Sequence, residues 1–224
     1  CVEIQNEIEA LDLDFIKEDF LKLLGSMQEG ASRIQEIVLS LRNFSHLDKS
    51  EQKEADLHEG INNTLMILQN RLREQPHRAA IQVIKEFGNL PLVECYPGEM
   101  NQVFMNILSN AIDAIESRIK EDSSLSPKIQ ICTTVLKVNN QQSGDKVLIR
   151  IADNGSGISP HIKQRVFDPF FTTKPVGKGT GLGLSISHSI VVKKHKGELR
   201  CNSVLGQGTE FVIELPRILY SRFK

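Results

Sequence analysis

The chain lacks a dominant charge, a long apolar run, paired cysteines and an internal repeat, and each absence closes off a class of function. Its 27 Lys and Arg against 28 Asp and Glu leave a formal charge of -1. No global basic field therefore points to nucleic acid, and no acidic excess points to disorder. No apolar run approaches the roughly 18 residues that a membrane-spanning helix needs, and the start has no charged segment leading into an apolar one. No membrane contact is expected of this stretch. The four cysteines (Cys1, Cys95, Cys132 and Cys201) are scattered, with no CxxC pair. That spacing argues against a metal cluster or a disulfide framework and fits a reducing cytoplasm.

What is present is the balance of a soluble globular protein, 40% hydrophobic and 25% charged. A length of 224 residues suits one domain with an extra element, or two small domains. The first residue is Cys1, and helical patterning begins almost at once, so the sequence reads as part of something longer.

From about Leu13 to Leu47 apolar residues recur at alternating threes and fours: Ile16, Phe20, Leu23, Met27, Ala31, Ile34, Val38 and Leu41. Such a seam predicts a long helix that needs a partner helix or a second subunit to cover it. Residues Asp48–Ala55 read as a linker, which divides the chain into a helical region, 1–50, and a second domain, 51–224. In that domain a helix is predicted over Leu57–Glu74, a strand over Ala80–Phe87, and a long helix over Glu99–Lys120. Strands follow at Lys128–Val138 and Lys146–Asp153, then a glycine-punctuated loop, a helix at Leu184–Lys194 and a closing pair, Gly197–Ser203 and Gly208–Leu215. The order predicts an α+β fold, a two-layer sandwich of a mixed sheet covered by helices. The loop of about 25–30 residues is long enough to suggest a lid.

Several segments could carry chemistry. Asn106 and Asn110 lie four apart and so on one helical face, where an amide oxygen can serve as a hard ligand for magnesium alongside water and phosphate. Two surface asparagines would look the same. Asp153-Asn-Gly155-Ser-Gly157 follows an apolar strand and presents a carboxylate from a tight turn, suited to accepting a hydrogen bond from an exocyclic amine such as that of adenine. Its acidic residues are too few for a calcium loop. Gly177-Lys-Gly179-Thr180-Gly181-Leu182-Gly183 opens a helix, so its backbone N–H groups and the helix dipole suit phosphate, with Lys174 and Lys178 adding charge. No GKS or GKT closes a Walker loop there. Gly206-Gln-Gly208-Thr209 alone is a hairpin turn.

In order and spacing, Asn106-x-x-x-Asn110-Ala, DNGSG, FDPFFTTK, GKGTGLGL and GQGTEF resemble the asparagine, glycine and phenylalanine boxes of the ATP-binding domain of sensor histidine kinases. The resemblance covers about residues 56–216. The helix ending Arg33-Ile-Gln-Glu-Ile-Val-Leu-Ser-Leu-Arg-Asn-Phe-Ser looks like the second helix of the family's dimerisation hairpin. It implies a Bergerat-type ATP-binding fold behind a helix of a dimerisation bundle, and a kinase that transfers the γ-phosphoryl of ATP to a histidine. It also implies a homodimer through the N-terminal helix and relay to the receiver domain of a response regulator.

By the same resemblance Asn110 would hold magnesium with help from Asn106. Asp153 would take the adenine amine with support from Gly155, Gly157 and Thr209. Gly179, Thr180, Gly181, Leu182 and Gly183 would line the phosphates. Phe167, Phe170 and Phe171 would anchor the lid, and Lys174 would reach the nucleotide. Hydrolysing ATPases of this fold, such as gyrase and the heat-shock-90 chaperones, carry a glutamate where this chain has Asn106. An amide cannot act as a general base, which favours transfer over hydrolysis. Where many sensor kinases have a lysine, this chain has Asp113, so any positive contact there must come from Lys174, Lys178 or Arg118. His58-Glu59 imitates the family's acceptor motif, but it lacks the proline, carries an inserted glycine and follows the second hairpin helix. The acceptor is expected upstream of Cys1.

Overall fold

The computed structural model describes residues 51–76, 78–137, 144–174 and 181–219, with a few helical residues at 19–20, 22–24 and 27. The chain divides into two units, Cys1–Asn43 and Phe44–Lys224. In the first, the described seam residues Phe20, Leu23 and Met27 are helical and exposed. The rest of the seam, Lys178, Gly179, Thr180, His46 and His77 lie outside the described residues.

The second unit runs β1 (Lys53–Ala55), α1 (Leu57–Ile67), α2 (Gln69–Leu72), β2 (Gln82–Phe87), β3 (Val93–Cys95), α3 (Pro97–Glu121), β4 (Lys128–Leu136) and β5 (Lys146–Asp153). It continues with α4 (Pro160–Lys163), α5 (Gly183–His188), a π-helical turn (Ser189–Lys194), β6 (Glu198–Val204) and β7 (Gly208–Pro216). Five strands form a mixed sheet in the order β2-β4-β5-β7-β6, with β2 parallel to β4 and the remaining pairs antiparallel. Strands β1 and β3 pair separately. The expected linker therefore ends in a strand, because Lys53–Ala55 finds its partner some forty residues on.

Alternation explains the sheet. Ile129 and Ile131 on β4, Val147, Ile149 and Ile151 on β5, and Ile213 and Leu215 on β7 face one side and are essentially inaccessible. Helix α3 fills that side. Pro97 stands in its first turn, where a missing N–H costs nothing, and Met100, Val103, Phe104, Ile107, Leu108, Ala111, Ile112 and Ile115 form its buried stripe. Helix α1 starts at Asp56, whose carboxylate accepts from the His58 N–H at 2.8 Å, and buries Leu57, Ile61 and Leu65 against the same core. The His58 ring is stacked on Phe87 at 4.2 Å between centroids, with Nε2 2.8 Å from the Thr133 hydroxyl. That is a structural role at the sheet edge.

The predicted helix to Lys194 changes character at Ser189, where the ladder loosens into a π-helical turn ending at His195. His195 is buried; its Nδ1 donates to the Ile190 carbonyl at 2.9 Å and its Nε2 accepts the Tyr96 N–H at 3.0 Å. Lys194 lies over the Tyr96 ring, 4.1 Å from its centroid, and pairs with Glu99. The turn thus locks the start of α3. Burial pushes the His195 pKa down. A group with a depressed folded pKa contributes stability that is present above its ordinary value, 6.5, and is lost as pH falls below it. His195→Phe, which leaves the Tyr96 N–H unpaired, should cost about 1–3 kcal/mol at pH 7.5. In urea unfolding the deficit should narrow at pH 5.5, where the wild type loses its advantage.

Candidate nucleotide site

Two clusters meet along α3. The first gathers Asn106, Asn110, Asp113, Lys174 and Gly183. The Nδ2 of Asn106 donates to the Gly183 carbonyl at 2.9 Å and to Ser187 Oγ at 3.1 Å, which ties α3 to the first turn of α5. Both bonds come from the nitrogen, so the amide is held in one orientation and its oxygen is kept for another partner. Lys174 Nζ donates to Asn110 Oδ1 at 3.2 Å and to Asp113 Oδ2. Asp113 Oδ1 accepts from Arg71 Nη2 at 2.6 Å. Burial opposes the charge on Asp113, and the bonds from Lys174 and Arg71 outweigh it, holding the carboxyl below its ordinary range.

Gly181, two residues before Gly183, has φ +66 and packs so closely that a Cβ would lie 2.4 Å from the carbonyl carbon of Phe170. Phe170 itself has φ +64, and its ring is 74% exposed. Its backbone packs against Gly181 while its side chain points to solvent, unlike the expectation from the sequence. Phe167 does pack inward, 5.0 Å from the His188 ring, and Arg165 covers the Phe171 ring at 4.5 Å.

The second cluster lies where β5 ends. Asp153 stands opposite Thr209 in the β5–β7 register, and Thr209 stands opposite Ser203 on β6. The Asp153 carboxylate accepts the Gly155 N–H at 2.8 Å and the Thr209 N–H. Ser203 Oγ donates to the Gly208 carbonyl, accepts the Ile158 N–H and lies 2.9 Å from the Thr209 hydroxyl. Gly155 fits directly against α3; a Cβ there would come 2.5 Å from the Ala114 carbonyl carbon. Gly157 sits beside Val204, which closes the turn against the β6–β7 hairpin. Arg118 Nη1 donates to the carbonyls of Asn154 and Gly155 at 3.0 and 3.3 Å. It braces the turn through one nitrogen of its guanidinium.

Arg71, Glu116, Ser187 and Ser203 were not singled out by the sequence analysis. Of these only Ser187, four residues after Gly183, stood at a spacing that could have drawn attention. Among the described residues no group of three or more His, Cys, Asp or Glu could hold a metal ion. The described thiols, Cys95, Cys132 and Cys201, are free. No described helix is long and apolar enough to cross a membrane.

A mixed sheet under a long helix, an amide pair on that helix and Gly183 bonded to the first of those amides define an ATP-binding fold of a known kind. The chain belongs to the family of histidine kinase-, DNA gyrase B- and HSP90-like ATPases, matched over residues 96–218, and within it forms the ATP-binding catalytic domain of a sensor histidine kinase. It is 34% identical to the signal transduction histidine-protein kinase AtoS of Escherichia coli K12 over 184 residues, 82% of this chain and 27% of that protein. It is 31% identical to the sensor kinase CckA of Brucella abortus over 197 residues, 87% of this chain and 20% of that protein. The chain thus spans about a quarter or less of the length of these relatives. The catalytic domain of histidine kinase ThkA, in a nucleotide-free form, superposes with a TM-score of 0.58 at 29% identity, covering 75% of this chain and 96% of that one.

Burial pushes the Asp153 carboxyl up to about 6, against the lowering effect of its two backbone bonds. A carboxyl raised from 3.8 contributes most below 3.8 and costs stability as pH rises through about 6. Asp153→Asn keeps the acceptor oxygen and removes the charge. It should stabilise the nucleotide-free domain at pH 7.5 by about 1–3 kcal/mol, with the gain roughly halved at pH 5 in paired urea titrations.

Proposed function

We propose that this chain is the phosphoryl-donor part of a sensor histidine kinase, holding ATP with magnesium and passing the γ-phosphoryl to a histidine for relay to a response-regulator aspartate. The observation that carries this reading is the amide pair on α3, with Asn106 fastened to the start of α5 and Asn110 facing the lid lysine.

The residues fit a magnesium ion shared with phosphate. Asn110 Oδ1 is a neutral hard donor that already has a cation, the Lys174 ammonium, against it. Asn110 and Asn106 would hold the ion, which when bound neutralises charge on the phosphate oxygens. The backbone of Gly179, Thr180, Gly181, Leu182 and Gly183 would line the phosphates, with Lys174 and Lys178 adding positive charge. Asp153 would accept the adenine amine, with the Thr209 hydroxyl, Gly155 and Gly157 shaping the pocket. Positioning and charge neutralisation are the main demands of phosphoryl transfer. An amide at position 106 supplies no base to activate water, which favours a protein acceptor.

The acceptor histidine would stand upstream of Cys1, and His58 is committed to Phe87 and Thr133. The seam of the first unit would supply the homodimer, with the whole assembly working in the cytoplasm.

Incubation with γ-labelled ATP and the histidine-bearing hairpin of the full protein should give acid-labile label on the hairpin. Without the hairpin, phosphate release should be slow. Label lost as free phosphate in both arms would make the chain a hydrolase instead. Asn110→Ala should reduce transfer by about 100-fold or more. Affinity for ADP should fall as pH drops through about 6 and Asp153 takes a proton, and this dependence should be absent in Asp153→Asn.

A further inference from the structure

Position 113 presents an acid on the same face of α3 as Asn110, one turn further along, where bound phosphates would repel it. The structure resolves that conflict through the two oxygens of the Asp113 carboxylate. Oδ1 is taken by Arg71 at 2.6 Å, and Oδ2 by Lys174. Arg71 also contacts Glu116 at 3.2 Å, and Glu116 lies 3.5 Å from Arg78. Arg78 is a buried fixture, with its guanidinium bonded to the carbonyls of Arg71, Arg73 and Ala79. The Asp113 carboxylate is therefore anchored from behind by a charged chain that ends on the buried Arg78, and its other oxygen holds Lys174. Three cations against two carboxylates leave one positive charge, and Lys174 carries it to within 3.2 Å of Asn110 Oδ1.

We propose that Asp113 is a positioning residue: it leashes Lys174 beside Asn110, so that the lid lysine supplies the positive contact to the terminal phosphate of ATP. This rests on the reading of Asn110 as part of the ATP site. A lysine on a lid is otherwise a hydrated charge on a flexible stem. With Asn110 Oδ1 committed to a metal ion, the ammonium would lose that bond and keep the one to Asp113. It would stay in the site, held by Asp113 and available to the phosphate. Asp113 touches no substrate in this scheme and acts only through Lys174.

The test compares affinities for ADP and for a non-hydrolysable ATP analogue, both with magnesium, in the wild type, Asp113→Asn, Lys174→Met and the double variant. Each single change should weaken the ATP analogue by about tenfold and leave ADP within about twofold, and the double variant should be no worse than Lys174→Met. Asp113→Glu should recover part of the loss. A purely structural ion pair would weaken both nucleotides alike, and independent roles would make the two losses multiply; either result overturns the proposal. Those two outcomes leave the ATP-site reading intact if wild-type binding still depends on magnesium and Asn110→Ala abolishes that dependence. A wild type that binds neither nucleotide overturns both.

Discussion

The arrangement depends on the packing of one helix. Helix α3 must bury a continuous apolar stripe against the sheet, and residues such as Ile107, Ile112 and Ile115 have no accessible surface left. At about 25 cal/mol per Å² of buried apolar surface, that stripe is a large term beside any single polar contact. Once it is fixed, the rotation of the helix is fixed, and so are the positions of Asn106, Asn110 and Asp113 on the remaining face. The glycine turn after β5 closes on the same helix at Ala114, and the first turn of α5 closes on it at Asn106. Both halves of the candidate site are therefore registered to one helix, the condition a phosphate-positioning role would require.

Against that stable frame the site itself is costly. Asp153 is a half-buried carboxylate with two backbone donors and, among the described residues, no cation to offset its desolvation. Gly155 and Gly181 are admitted because their neighbours leave no room for a Cβ. Phe170 holds a left-handed backbone with its ring in solvent. Each of these weakens the empty domain, and they cluster where the nucleotide is read to bind, as expected when strain is retained for function.

Much of this was legible in the sequence because it is local. Strand β5 was predicted with its exact ends, since the inward residues Val147, Ile149 and Ile151 alternate up to the Asp153 turn. The asparagine face of α3 followed from spacing alone. What was missed depends on distant pairing. Strand β1 has three residues and no pattern of its own, and only its register with β3 makes it a strand. The parallel pairing of β2 with β4 leaves no trace in either segment. Arg71 lies 42 residues from Asp113, so no window of sequence joins them. The loosening of the last helix at Ser189 reflects the need to aim His195 at Tyr96, a contact across 99 residues. Phe170 was misjudged because a phenylalanine in a motif suggests packing, whereas here the backbone bears the contact.

On the proposed function, α3 presents an ATP site in which amide oxygens would share a metal ion with phosphate. Calorimetric titration of ATP into the chain, with magnesium and then with the ion chelated, tests it most directly. The account predicts one nucleotide per chain, with affinity at least about tenfold higher when magnesium is present. Binding of equal strength with and without the ion, or no saturable binding at all, would contradict it.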